Sequence, residues 1–251
     1  MPRRSLPKIQ GNRDLSRYFI PMELEFMNQI DPATAALAQP GDGADKVKRV
    51  EYASLAGLTG EEFSRRIFGR VAPMELEIGS GKGLFISGAA KANPDRNFLG
   101  VEIAYRYALL SASKLAKQET SNGVMICADA ARVLRELIPL NSLVAAHIYF
   151  PDPWWKKAHR KRRIVRPDVV QMIEDRLVVG GKLHFWTDVE EYFRSGVEII
   201  KLSTNLAGPY SVLERPSSGT LDFHTHFERR TRLNQLPVYR SYFEKIAETR
   251  R

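Results

Sequence analysis

Glu77-Ile78-Gly79-Ser80-Gly81-Lys82-Gly83 is the stretch on which the fold turns. It ends an apolar run, 74–78 (MELEI), that predicts a buried strand, and it leads into a helix-length segment at 84–92. Glycines at such a place let the backbone turn tightly and come close to a ligand. The dinucleotide fingerprint GxGxxG would put its third glycine at Leu84, whereas this loop reads GxGxG with Gly79, Gly81 and Gly83. That shift points away from nicotinamide dinucleotides and towards a loop for S-adenosylmethionine, which has no pyrophosphate to cradle. Taken alone, the same glycines also suit a plain turn.

Further strands are predicted at 97–102 (NFLGVE), 123–128 (GVMICA), 144–150 (VAAHIYF) and 182–187 (KLHFWT). Helix-length segments at 104–120, 130–138, 167–178 and 189–203 alternate with them. Short apolar runs alternating with helices indicate βαβ units and a parallel sheet covered on both faces. Strands at 210–214 and 223–230 bring the expected sheet to seven, and 238–250 reads as a closing helix. Ahead of the sheet, Thr59-Gly60-Glu61-Glu62 has capping-box spacing and starts a short helix through Phe68, while 14–38 reads as short helical packing. The expected division is an N-terminal basic arm with a helical extension, 1–70, followed by one α/β domain, 71–251.

Two more strand ends carry acids. Glu102 closes the second strand, where an acid can accept hydrogen bonds from both hydroxyls of a ribose or simply face solvent. Asp129 closes the third, where it can receive an adenine amine or cap the helix starting at Ala130. Three strand ends in register, each with a suitable residue, point to S-adenosylmethionine. Cys127 is expected to pack as a small inert hydrophobe.

The fourth strand delivers Phe150-Pro151-Asp152-Pro153-Trp154-Trp155-Lys156-Lys157-Ala158-His159-Arg160-Lys161-Arg162-Arg163. Two prolines fix the backbone around Asp152 and aim its carboxylate into the crevice beyond the strand ends. Trp154 offers a π-surface for a base, worth about 1–3 kcal/mol in comparable contacts. Lys156, Lys157, Arg160, Lys161, Arg162, Arg163 and Arg166 follow with no acid between them and can hold phosphates. A core tryptophan or a solvated cationic face would explain the parts singly, but not a carboxylate, an aromatic and cations together beside a methyl donor.

Composition sets the outer bounds. The chain has 251 residues, 38 Lys plus Arg against 29 Asp plus Glu, and a net charge of +9, which favours a polyanionic partner. One cysteine excludes a disulfide framework and a multi-thiolate metal site, so a reducing cytoplasm is the expected home. No apolar run reaches the roughly 18 residues a membrane span needs, and the basic start of the chain has no apolar core like that of a secretory signal. The basic loop and residues 1–13 account for eleven bases. Without them 27 bases stand against 29 acids, so the surplus is expected on one loop and one arm.

In these residues the chain resembles the bacterial tRNA (guanine-N7)-methyltransferases, from about Glu75 to Arg230. The family's PDPWxKxxHxKRR is unbroken from Pro151 to Arg163, and GVE at 100–102, TD at 187–188 and TxFExR at Thr225 to Arg230 match as well. The x after Thr225, often Lys in that family, is His226 here. The resemblance implies a Rossmann-like class I methyltransferase fold. It implies contacts to S-adenosylmethionine from Glu77, Glu102, Asp129 and the Gly79, Gly81, Gly83 loop, with Asp152 at the methyl-transfer site touching cofactor or base. It further implies guanosine binding by Lys156, Asp188, Thr225, His226, Phe227 and Glu228, and RNA contacts from Ala158, His159, Arg160, Lys161, Arg162 and Arg163. The implied target is guanosine 46 in the variable loop of tRNA, with no metal, no membrane and no obligate protein partner, as monomer or homodimer.

Guanine N7 carries a free lone pair, so Asp152 is read as a positioning and electrostatic residue rather than a base. Asp188 or Glu228 can accept the N1–H and N2–H₂ donors that adenine lacks. Rival readings are a dehydrogenase, which needs glycine in place of Leu84, and a non-catalytic RNA-binding module, which has no use for acids at three strand ends. Methylation of another RNA base is the nearest alternative.

Overall fold

The computed structural model describes residues 14–21, 52–212, 234 and 236–247. Within them one sheet contains β1 (Phe19–Ile20), β2 (Met74–Ile78), β3 (Asn97–Glu102), β4 (Gly123–Cys127), β5 (Leu143–Tyr149), β6 (Leu177–Thr187), β7 (Ala207–Ser211) and β8 (Tyr239–Glu244). Six helices accompany it: α1 (Gly60–Phe68), α2 (Leu84–Ala92), α3 (Tyr105–Lys117), α4 (Ala130–Glu136), α5 (Pro167–Arg176) and α6 (Glu190–Ser203). The strand order is β1-β4-β3-β2-β5-β6-β8-β7. Pairing is parallel from β1 through β6, and β8 runs antiparallel to both its neighbours.

This is the expected mostly parallel α/β sheet, with eight strands rather than seven. Two of the eight were not expected, β1 and β8; at β1, where helical packing was expected, Phe19 and Ile20 lie beside Met125 and Ile126 on the open edge of β4. Within the helix expected over 238–250, Tyr239–Glu244 form β8 instead, because their backbone completes the ladder along β6. The strand expected at 210–214 begins earlier, at Ala207, and the one expected at 223–230 lies outside the described residues.

Local chemistry accounts for the elements. Thr59 caps α1 as its spacing predicts: its hydroxyl accepts from the Glu62 N–H at 3.3 Å, and the Glu62 carboxylate accepts from the Thr59 N–H at 2.9 Å. Asp129 caps α4 by accepting from the Arg132 N–H at 3.0 Å. Every residue of β2, β3 and β4 is buried, as in a sheet with helices on both sides. On one side Ile86 and Ala90 of α2 and Ala108, Ala112 and Leu115 of α3 pack on Phe98, Met125 and Cys127. On the other, Phe63 of α1, Val133 of α4, Ile173 of α5 and Ile200 of α6 share a core with Leu76, Leu99, Ile126 and Phe185.

From β2 the chain moves one way through β3 and β4, then returns to β5 on the other side of β2 and continues to β6. The strand order therefore reverses between β2 and β5. A crevice opens beyond the carboxyl ends of strands at such a reversal. The glycine loop leaves β2 there, and Phe150 to Asp152 leave β5. Among the described residues, no helix is long and apolar enough to cross a membrane.

Candidate active site

The glycine loop is shaped by left-handed backbone. Gly79, Gly81 and Gly83 have φ of 76°, 52° and 66°, a region that side chains with a Cβ occupy at a cost. Gly83 is tied down by packing as well, since a Cβ on it would lie 2.5 Å from Ser111 Oγ on α3. Ser111 in turn donates to the Gly81 carbonyl at 2.9 Å. The loop is thus clamped between β2 and α3.

Three carboxyl groups converge on the crevice. Glu77 is 4% exposed, and its Oε2 is buried without a hydrogen-bond partner. Burial first, and then the charge of Glu102, push its carboxyl up to about 7. Glu102 is 9% exposed and accepts two backbone hydrogen bonds of 2.8 Å, from Gly81 and from Ala104. Burial and the charge of Asp152 nevertheless hold it above the ordinary glutamate value. Asp152 stands at the rim, open to water, with enough protein around it to raise its carboxyl as well. Electrostatic coupling therefore runs from Glu77 to Glu102 and from Glu102 to Asp152. A site that crowds acids in this way favours a cationic or hydrogen-bond-donating ligand.

The loop bearing Asp152 is set from both ends. Phe150 and Trp154 have φ of 50° and 42° and bracket Pro151-Asp152-Pro153. Left-handed backbone at two non-glycine residues costs about 1–3 kcal/mol each, and such outliers collect at functional sites. The Phe150 N–H donates to the Trp186 carbonyl at 2.8 Å. Arg163 Nε donates to the Pro153 carbonyl at 2.7 Å, while its guanidinium lies 4.8 Å from the centre of the Tyr192 ring on α6.

The cationic stretch forms a 3-10 turn, Lys157–Arg162. Trp154, expected to offer a stacking surface, has the Arg162 guanidinium 5.2 Å from its ring centre and the His159 ring edge-on at 5.8 Å. The exposed indole is its neighbour Trp155, at 60%. Ala158 and Lys161 are exposed, and Arg160 falls within the same turn.

One feature beneath the site had no assigned role in the sequence. Arg96 Nη1 donates to Glu75 Oε1 at 2.7 Å, Glu75 Oε2 lies 2.8 Å from His147 Nε2, and His147 Nδ1 lies 2.9 Å from the Tyr149 hydroxyl. Burial alone would raise Glu75, but its hydrogen bonds and charge contacts with His147 and Arg96 outweigh it and the carboxyl is lowered. Ionised Glu75 accepts a hydrogen bond from the His147 Nε2–H. The chain of contacts fixes Tyr149, two positions before Pro151. Its only sequence signal was polar residues inside apolar strands, Glu75 in MELEI and His147 in LVAAHIY.

Comparison with known proteins bears on this geometry. A family model described as a putative methyltransferase matches residues 71–241. A tRNA (guanine-N(7)-)-methyltransferase of Rhodopirellula baltica is 46% identical over 188 residues, covering 72% of this chain and 69% of the relative. Its counterpart in Alcanivorax borkumensis is 40% identical over 184 residues, covering 72% and 76%. The chain belongs to the tRNA (guanine-N7)-methyltransferase family.

Solved structures agree in fold. The 16S rRNA methyltransferase KamB superposes with a TM-score of 0.51 at 18% identity, over 75% of this chain and 94% of the other. An rRNA adenine methyltransferase of Catenulisporales acidiphilia, solved with its cosubstrate S-adenosylmethionine, also gives 0.51, at 14% identity over 77% and 94%. Of the residues that the tRNA (guanine-N7)-methyltransferase family implies for guanosine, Lys156 is exposed on the Asp152 loop and Asp188 follows the end of β6, half-buried. Thr225, His226, Phe227 and Glu228 lie outside the described residues.

Proposed function

We propose that this enzyme transfers a methyl group from S-adenosylmethionine to N7 of guanosine in tRNA, at position 46 of the variable loop. The observation that carries the reading is the convergence of Glu77, Glu102 and Asp152, each with its carboxyl raised, beside a glycine turn at the strand-order reversal.

The residues fit S-adenosylmethionine. The buried, unpartnered Oε2 of Glu77 suits an ammonium. Glu102 keeps lone pairs beyond those used by Gly81 and Ala104 and suits ribose hydroxyls. Asp129 spends one oxygen on its helix cap and has another for an adenine amine. When bound, S-adenosylmethionine supplies a methyl on a positively charged sulfur; its transfer to N7 breaks the sulfur–carbon bond and leaves the charge on the base.

Because the N7 lone pair is free, the chain has no proton to remove before attack. Its tasks are alignment and charge compensation, and Asp152 serves the second from the crevice rim. Asp188 accepts guanine N–H groups, with Glu228 as its partner in that role. The cations from Lys156 to Arg163 hold the phosphates that bring the variable loop in.

Mapping the methylated nucleotide in a tRNA pool tests the reading. Label at guanosine 46, lost when that base is changed to adenosine, supports it, and label on another base overturns it. Asp152→Asn that retains full turnover at saturating S-adenosylmethionine would remove Asp152 from the mechanism.

A further inference from the structure

The two sides of the sheet differ in charge. On the side of α1, α4, α5 and α6, the helices carry nine acids and seven bases. Arg65, Arg132 and Arg194 there sit within 2.5–3.2 Å of Glu61, Glu136 and Glu190 one turn away. On the other side, α2 and α3 carry Lys91, Arg106, Lys114 and Lys117 and no acid at all.

Arg106, Lys114 and Lys117 fall on one stripe of α3, spaced eight and three residues apart. The stripe covers about 16 Å of helix. Arg106, Lys117 and Lys91 are exposed, as is Lys82 of the glycine loop. The Lys114 ammonium donates to the Lys82 carbonyl, and the two lysine charges repel, adding to the effect of burial in lowering Lys114. Like charges gathered beside a ligand loop are stabilised by an anion.

We propose that the outer surface of α2 and α3 is a second phosphate-binding face for tRNA, engaging its backbone away from the base that is methylated. It rests on the reading of the substrate as tRNA. The position supports it: α3 starts just after Glu102, and the Asp152 loop with its cations leads into α5 on the opposite side. Cations therefore flank the crevice from both sides of the sheet, so that one RNA can straddle it. A membrane surface fits less well, because Tyr105, Ala108, Ala112 and Leu115 of α3 are turned into the core and Tyr107 is the one large apolar side chain the helix leaves exposed.

The test is the triple variant Lys91→Gln, Arg106→Gln, Lys117→Gln, which keeps good helix formers at exposed sites. Its affinity is measured across a salt series for a full tRNA transcript and for a short stem-loop containing the target guanosine, and S-adenosylmethionine binding by calorimetry reports that the fold is intact. The expected result is a tRNA Kd raised about tenfold or more and a salt slope shallower by about three, with the stem-loop and S-adenosylmethionine affinities kept. Arg65→Gln with Arg66→Gln on α1 should leave the tRNA slope in place. Unchanged tRNA affinity and slope in the triple variant overturn the proposal. So does binding of the wild type to phosphatidylglycerol vesicles that the triple variant loses while keeping tRNA. A wild type that neither binds nor methylates tRNA instead fails at the substrate itself, a result visible before any variant is made.

Discussion

Glu102 Oε2 accepts a hydrogen bond of 2.8 Å from the Gly81 N–H, so the acid that ends β3 holds the glycine turn that leaves β2. The second oxygen does the same for Ala104 at the start of α3. Glu102→Ala would strand two backbone donors in a largely closed site, and hydrogen bonds to charged groups are worth about 1.5–3 kcal/mol each. The expected outcome is an S-adenosylmethionine Kd raised about a hundredfold by calorimetry, with Glu102→Gln intermediate because it retains one acceptor. An unchanged Kd in the alanine variant would show that the turn holds without it.

Glu77 makes both stability and binding depend on pH. Its folded value of about 7 lies above the ordinary 4.5, so the native state binds more protons than the unfolded chain between those values. Stability of the unliganded protein then falls as pH rises through that window. Glu77→Gln should remove the penalty, gaining roughly 2–3 kcal/mol above pH 7 in denaturant titrations. Ligand binding has the opposite sign: with the ammonium of S-adenosylmethionine at Glu77, as proposed, affinity should rise as pH climbs towards about 7, with release of a proton. A flat profile in the wild type would contradict this, and the glutamine variant should show one.

Gly83 and Gly88 should respond to alanine in opposite directions. At Gly83 the backbone φ is 66° and a Cβ would meet Ser111 Oγ at 2.5 Å and Ser111 Cα at 2.9 Å. Left-handed strain and overpacking together cost about 2–5 kcal/mol, a fall in Tm of roughly 5–15 °C for a domain of this size. At Gly88, inside α2, a Cβ meets nothing within 4 Å. There the loss of glycine entropy should stabilise by about 0.5–1 kcal/mol. Calorimetric scans of the two variants decide it, and a stable Gly83→Ala protein would refute the clamp.

Two cations of one motif should separate kinetically. Arg163 bonds the Pro153 carbonyl and lies over Tyr192, so it holds the segment that carries Asp152. Arg163→Ala should lower kcat about tenfold or more, because misplacing a reacting group is costly even over small distances. Lys161, exposed on the turn, should act through KM instead, its alanine variant making the salt slope shallower by about one. Equal losses of kcat in both would mean that the segment is not anchored through Arg163.

The parallel half of the fold was legible because burial on both faces writes each strand as a short apolar run: 74–78 and 97–102 agree with β2 and β3 to the residue. The antiparallel end was not. In β8, Ser241 and Phe243 face one side while Arg240 and Tyr242 face the other, and aromatics on both sides blur the alternation, so pairing with β6 decides against the helix. The strand predicted at 182–187 starts earlier, because β6 runs from Leu177 through the Gly180-Gly181 pair with a break in register against β5. In the site, the strand-end acids and the Pro151–Arg163 motif were visible as residue types at fixed spacing. The Arg163 anchor and the Glu75–His147–Tyr149 contacts were not, because each joins elements far apart in the chain.

The strip of chain before residue 71 lies outside the family match, and an engineer shortening the protein would cut there first. Yet Phe19, Ile20, Leu55, Phe63 and Phe68 from that strip are all buried, and the Tyr18 carbonyl takes the Met125 N–H on the edge of β4 at 2.8 Å. A fragment starting at 71 would bare an apolar strand edge of the kind that recruits other chains. Such a fragment should aggregate more readily than the 251-residue chain: the part of the sequence ahead of the family match is its guard against aggregation.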